Sequence, residues 1–169
     1  MSALIERVLQ DPVPLGTWLS ITTGIMLAVF GYIRTRLQDR KRYTLDVLMR
    51  YSHSVELLRS LHAINAHVAQ RKSTDVDAPV DAGLETHLAV VLPYFQSIAL
   101  AANSGLLDRE IMLKARYGSM KSVWEGLLPY IARKRLELGR PFLYADLEQF
   151  LRDNADRYAR YHRSLEQGR

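Results

Sequence analysis

Apolar residues recur at intervals of three and four along almost the whole chain, and no segment alternates with period two. The pattern predicts helices and no strands. Leu45, Leu48, Met49 and Tyr51 mark a first helical stretch over 44–51, which can run on from an apolar segment before it. A second helix over 54–70 carries Val55, Leu57, Leu58, Leu61, Ile64 and Val68, with Ser54 placed to cap it. A polar connector, 71–83, is rich in turn formers. The stripe Leu84, Leu88, Val91, Leu92, Phe95, Ile98 and Ala102 predicts a helix over 84–103 that stops at Asn103-Ser104-Gly105. Asp108 caps a short helix through Ile111, Met112 and Ala115 to a break at Tyr117-Gly118. Met120, Val123, Trp124, Leu127 and Ile131 define a helix over 119–138, ended by Gly139. The last helix is expected from Pro141, through Leu143, Leu147, Phe150, Leu151, Tyr158, Tyr161 and Leu165. Leu-Pro-Tyr occurs twice inside these helices, at Pro93 and Pro129, where each proline removes one intrahelical hydrogen bond.

The stretch before this pattern is different in kind. From Val13 to Ile33 there are 21 residues without a charge. As a helix they extend about 30 Å, the thickness of a bilayer core. Trp18 and Tyr32 stand near its two ends, where amphipathic rings favour the interface. Thr17, Ser20, Thr22 and Thr23 dilute its hydrophobicity, but their hydroxyls can bond back to helix carbonyls. A cleaved signal peptide would need a basic start and a small-residue cleavage site, whereas Tyr32-Ile33-Arg34 follows the run. The reading is therefore an all-α chain: a short segment 1–12, a transmembrane helix 13–33, a basic flank 34–42, and a cytoplasmic bundle of five or six helices over 43–169.

Charge sharpens this picture. The chain of 169 residues has a formal net charge of +5, and residues 34–42 alone contribute +4. The excess thus sits beside the apolar run rather than across a face, which argues against a nucleic-acid-binding domain. Arg34, Arg36, Arg40, Lys41 and Arg42 follow the run and only Arg7 precedes it, so the N terminus is expected outside and the C-terminal domain in the cytoplasm, at an inner membrane. The same five cations are the candidates for contact with anionic lipid. Ser20, Gly24 and Ala28, spaced by four and extended by Thr17 and Gly31, form a small-residue stripe on which two copies could pair into a homodimer.

No chemistry-bearing constellation stands out, so no catalytic, metal-binding or cofactor-binding residue is assigned. There is no cysteine, which excludes thiolate-ligated zinc, iron–sulfur clusters and redox dithiols, and fits a bacterial cytoplasm. His53, His62, His67, His87 and His162 share no metal-ligand spacing, and each is expected to be solvated, His87 beside Glu85 on a polar helix face. Gly118-Ser119 lacks the glycine spacing and lysine of a phosphate cradle. Arg157, Tyr158, Arg160, Tyr161, His162 and Arg163 interleave cations and rings as RNA-binding helices do, but Tyr158 and Tyr161 fit the core stripe better. A protein-interaction module is the leading reading, with an unknown protein partner, membrane lipid, and a second copy of the chain as its expected contacts. The alternative is a tethered enzyme or nucleic-acid-acting effector using dispersed residues such as Asp108, Arg116 and Glu125.

Tyr94-Phe95 with Ile98-Ala99, Gly105 with Leu107-Asp108, Trp124, and Pro129-Tyr130-Ile131 together resemble a bacterial family known only as a domain of unknown function. Tyr43, Leu45 and Asp46 also look like that family. The resemblance covers roughly residues 43–152 and implies one N-terminal membrane span followed by a small helical domain. It brings no reaction and no catalytic residues. Gln96 stands where the family pattern leads one to expect an acidic residue.

Overall fold

The computed structural model describes residues 12–71 and 82–167. The short segment 1–12 and the connector 71–83 fall almost entirely outside them. Among the described residues the chain is all-α, with six helices: α1 (Pro12–Ser52), α2 (Val55–Arg71), α3 (Ala82–Asn103), α4 (Arg109–Ala115), α5 (Tyr117–Glu137) and α6 (Ala145–Gln167). The chain divides into two compact units between Asp39 and Arg40. The first is the apolar part of α1, whose large side chains, from Trp18 to Ile33, stand exposed.

The second unit is a helical bundle. Helix α3 packs on α2 and α6, α5 packs on α2, α4 and α6, and α4 fills the gap between them. Ile64, Val91, Phe95, Met112, Met120, Leu127, Leu147 and Phe150 meet in one core with no exposed surface or almost none. Large side chains dominate it, and each such burial is worth about 1.5–3 kcal/mol. Two glycines allow close approach inside it. A Cβ on Gly126 would fall 2.5 Å from both methyls of Val68, so this glycine is what lets α5 settle onto α2. At Gly118 a Cβ would come within 2.8 Å of the Tyr158 hydroxyl.

The caps follow the sequence closely. Asp108 accepts from the Glu110 and Ile111 amides at 3.0 and 3.1 Å, and Ser54 Oγ accepts from the Leu57 amide at 3.4 Å. Gly139 takes a left-handed conformation (φ 60°) just past α5. Other boundaries differ from expectation. The break between α4 and α5 falls at Arg116, and α5 starts at Tyr117 because that ring is buried and its hydroxyl donates to the Leu151 carbonyl at 2.9 Å. The last helix begins at Ala145, not Pro141. Residues 141–144 form a turn, with Tyr144 at φ 62° and the Leu143 carbonyl held by Arg135 Nε and Nη2 at 3.0 and 2.9 Å. That carbonyl is aimed at a guanidinium and so is unavailable to a helix ladder. Leu45, Met49, Tyr51, Val55, Leu58 and Leu165 belong to the predicted stripes but are exposed.

Candidate functional site

Along the apolar part of α1, the diluting hydroxyls do bond back to their own helix. Thr22 Oγ1 donates to the Trp18 carbonyl at 2.9 Å and Thr23 Oγ1 to that of Leu19 at 2.8 Å. The polar groups are thereby satisfied inside the helix, and what faces outward is Ile25, Met26, Leu27, Val29, Phe30 and Ile33. Ser20, Gly24 and Ala28 are exposed as well, and nothing lies within 4 Å of a Cβ placed on Gly24. The helix is long and apolar enough to cross a membrane. Helix α3 is also long and apolar enough over Gly83–Asn103, but its apolar face is the core of the bundle.

The five cations of the flank do not share one environment. Arg34, Arg36, Lys41 and Arg42 are exposed. Arg40 is half-buried and turned into the bundle, where its Nε and Nη2 both donate to the Leu107 carbonyl, at 3.0 and 2.5 Å. One turn on, Thr44 is fully buried. Its hydroxyl donates to the Arg40 carbonyl at 2.7 Å and accepts the Asp108 amide at 2.8 Å. Arg40 and Thr44 thus fasten this part of α1 to the α3–α4 turn through backbone groups that a folded turn would otherwise leave without partners. The Asp108 carboxylate caps α4 on the far side of the same peptide.

On the bundle surface, the α5–α6 turn and α3 enclose a groove of about 690 Å³, walled by Pro93, Pro141, Phe142, Leu143 and Tyr144 and edged by Gln96 and Arg140. Phe142 is 83% exposed beside it, and Leu136, in the last turn of α5, is 84% exposed. Under the groove Gln96 joins α3 to the start of α6. Its Nε2 donates to Asp146 Oδ2 at 2.7 Å, and its Oε1 accepts the Leu147 amide at 3.1 Å. Asn103 adds a bond from Nδ2 to the Asp146 carbonyl at 3.0 Å.

Other residues singled out in the sequence are not gathered into one site. Asp108 is a cap, Glu125 pairs with Lys121 on the surface at 3.7 Å, and Arg116 lies by the Tyr94 phenol. Burial is the largest influence on that phenol and raises its pKa, Arg116 opposes the rise, and Tyr51 adds to it. His53, His62 and His162 are exposed as expected, but His67 and His87 are half-buried: the Nε2 of His67 is turned inward, and the Nδ1 of His87 lies 3.1 Å from the hydroxyl of the buried Ser60 and ties α3 to α2. Tyr158 and Tyr161 pack against the core, and Tyr158 stacks on Tyr117 with ring centres 4.4 Å apart. Among the described residues no three His, Asp or Glu side chains come together as a metal site.

These features define a class: an all-α chain in which one long apolar helix leads through a basic flank into a helical bundle. The chain belongs to the family described as a domain of unknown function, DUF4760, which matches residues 18–153. That match begins at Trp18, inside the apolar run, so it takes in more of the chain than the resemblance drawn from residues 43–152. No curated protein and no solved structure matches the chain. Several residues that carry the resemblance, Phe95, Ile98, Ala99, Leu107, Trp124 and Ile131, are buried in the core, so their part in this chain is packing.

Proposed function

We propose that this is a single-pass protein of a bacterial inner membrane, with the N terminus outside, and that its cytoplasmic bundle binds a protein partner. The observation that carries the reading is the apolar run itself. Its side chains are exposed to a degree that water would penalise heavily, at about 25 cal/mol per Å² of apolar surface. A bilayer removes that penalty. Against a cleaved leader, α1 continues without interruption to Ser52, past the place where a cleavage site would have to be extended. Self-association through Ser20, Gly24 and Ala28 belongs to the same reading.

The bundle is read as a binding module because Phe142, one of its most exposed large side chains, lines the apolar groove of the α5–α6 turn. Tyr144 sits there in a left-handed conformation that costs a non-glycine residue about 1–2 kcal/mol, a cost the surrounding packing must offset.

Membrane association and orientation are tested with one pair of fusions. A reporter active only in the periplasm, fused after Arg169, is expected to be silent, while a cytoplasmic fluorescent reporter there is bright and stays with membranes through alkaline carbonate washing. Release by carbonate would overturn the span, and periplasmic activity would overturn the orientation.

A further inference from the structure

The flank supplies five cations, and the structure treats one of them differently. Arg40 is held on one side by the Leu107 carbonyl, which takes two of its five N–H donors and leaves three. Among the described residues no carboxylate lies within ion-pair distance of it. The two acidic side chains next along the chain from its partner are otherwise engaged: Asp108 caps α4, and Glu110 pairs with Lys114 at 2.7 Å. Arg40 is therefore a half-exposed, oriented guanidinium with no carboxylate within ion-pair distance among the described residues. It lies seven residues after Ile33, about 10 Å further along a helix.

We propose that Arg40 is a prealigned binding residue for a phosphate-bearing anion, either the headgroup of an anionic lipid or a free phosphate, and that Lys41 beside it adds charge without orientation. The proposal rests on the membrane reading above. Its physical basis is that a guanidinium already fixed by Leu107 forfeits less rotamer freedom on binding than the exposed Arg34, Arg36 or Arg42 does. Coupling of this kind is reciprocal. If the clipped form of Arg40 binds phosphate more tightly than the free form, bound phosphate must stabilise the clip to the same degree.

The reporter is the Asp108 amide, because it donates to the Thr44 hydroxyl inside the clip. Hydrogen exchange is followed on the full chain in nanodiscs of phosphatidylcholine, of phosphatidylcholine with phosphatidylglycerol, and of phosphatidylcholine with inorganic phosphate added. Exchange at Asp108 is expected to slow about two- to tenfold with phosphatidylglycerol, the equivalent of one side chain's immobilisation. Slowing by inorganic phosphate as well assigns the site to phosphate in general; slowing by the lipid alone assigns it to the headgroup. Both support the site. Arg40→Gln and Arg40→Lys are expected to abolish the difference, whereas Arg36→Gln preserves it. Amides of the α5 core report whether each variant is folded, and should the glutamine variant unfold, Arg40→Lys and the wild-type comparison still decide. Equal exchange in all three wild-type samples, or a lipid effect that survives Arg40→Lys, overturns the proposal. Failure of the chain to enter nanodiscs at all would instead strike the membrane reading.

Discussion

Gln96 and Asp146 are 50 residues apart in the chain and 2.7 Å apart in the bundle, joined by an amide that donates to the carboxylate while its own oxygen caps the start of α6. Only a neutral amide can do both. A carboxylate at position 96 could still accept the Leu147 amide, but it would face Asp146 with like charge. Gln96→Glu is therefore expected to destabilise the bundle by about 1–3 kcal/mol at neutral pH, and Gln96→Leu by a similar amount through the orphaned Leu147 amide. Urea unfolding of the full chain in detergent checks this. For the glutamate variant the deficit should shrink on acidification. Repulsion raises its folded pKa, so the protonated form, able to donate again, regains stability as the pH falls toward the ordinary carboxylate range.

How much of this was legible in the sequence follows from where each determinant lies. Leu57, Leu61, Ile64 and Val68 repeat at three and four, and Asp108 stands two and three residues from the amides it caps, so periodicity and local spacing reveal them. The Arg40–Leu107 contact spans 67 residues and the Gln96–Asp146 contact 50, and neither leaves a local trace. The turn at Pro141–Tyr144 was hidden for the same reason. Proline suits a first helical turn, and only the Arg135 guanidinium, arriving from α5, takes the Leu143 carbonyl out of the helix. As to the candidate site, the basic flank was visible as five cations in nine residues, but not that Arg40 is set apart from the rest.

Four tyrosines of the bundle, Tyr94, Tyr117, Tyr130 and Tyr144, have pKa values raised above the phenol's usual 10.0, in each case chiefly by burial. The sign of the consequence is fixed. In the unfolded chain these phenols ionise first, so the folded state holds more protons above that value, and stability must fall as pH rises past it. Stability is expected to be flat with respect to these groups below about pH 9 and to decline beyond about pH 10. Tyr94→Phe removes one contributor and should make the alkaline decline shallower, as read from urea midpoints at a series of pH values. An unchanged slope in Tyr94→Phe would show that this ring ionises as freely folded as unfolded.

Self-association through the span makes a prediction confined to α1. The backbone at Gly24 is open, with nothing within 4 Å of the position a side-chain Cβ would take, so Gly24→Ile leaves the folded chain unstrained. It would nonetheless place a branched group in the middle of the Ser20–Gly24–Ala28 stripe and hold two helices apart. A transmembrane association reporter carrying residues 13–33 should lose most of its signal on Gly24→Ile. Equal signals would move any dimer contact to the bundle.

Gly126 offers the sharpest contrast with Gly24. In an exposed helix interior, replacing glycine by alanine gains about 1 kcal/mol. At Gly126 the new methyl would meet both Val68 methyls at 2.5 Å, and overpacking a filled core costs about 1–3 kcal/mol, mostly in shifted backbone. The two effects oppose each other, but the gain is an upper limit because α5 is already held in place by Met120, Val123, Leu127 and Ile131. The clash therefore wins, and Gly126→Ala is expected to destabilise by about 1–2 kcal/mol. The cause can be isolated. Val68→Ala alone opens a cavity and costs about 1–3 kcal/mol, but in Val68→Ala with Gly126→Ala the alanine methyl occupies the space the valine vacated. The double variant should be clearly more stable than the sum of the single losses requires, with a coupling of about 1 kcal/mol or more in its favour by urea unfolding. Strict additivity would mean that α5 moves away from α2 to accept the methyl, and that the close approach at Gly126 is not what sets the spacing of these two helices.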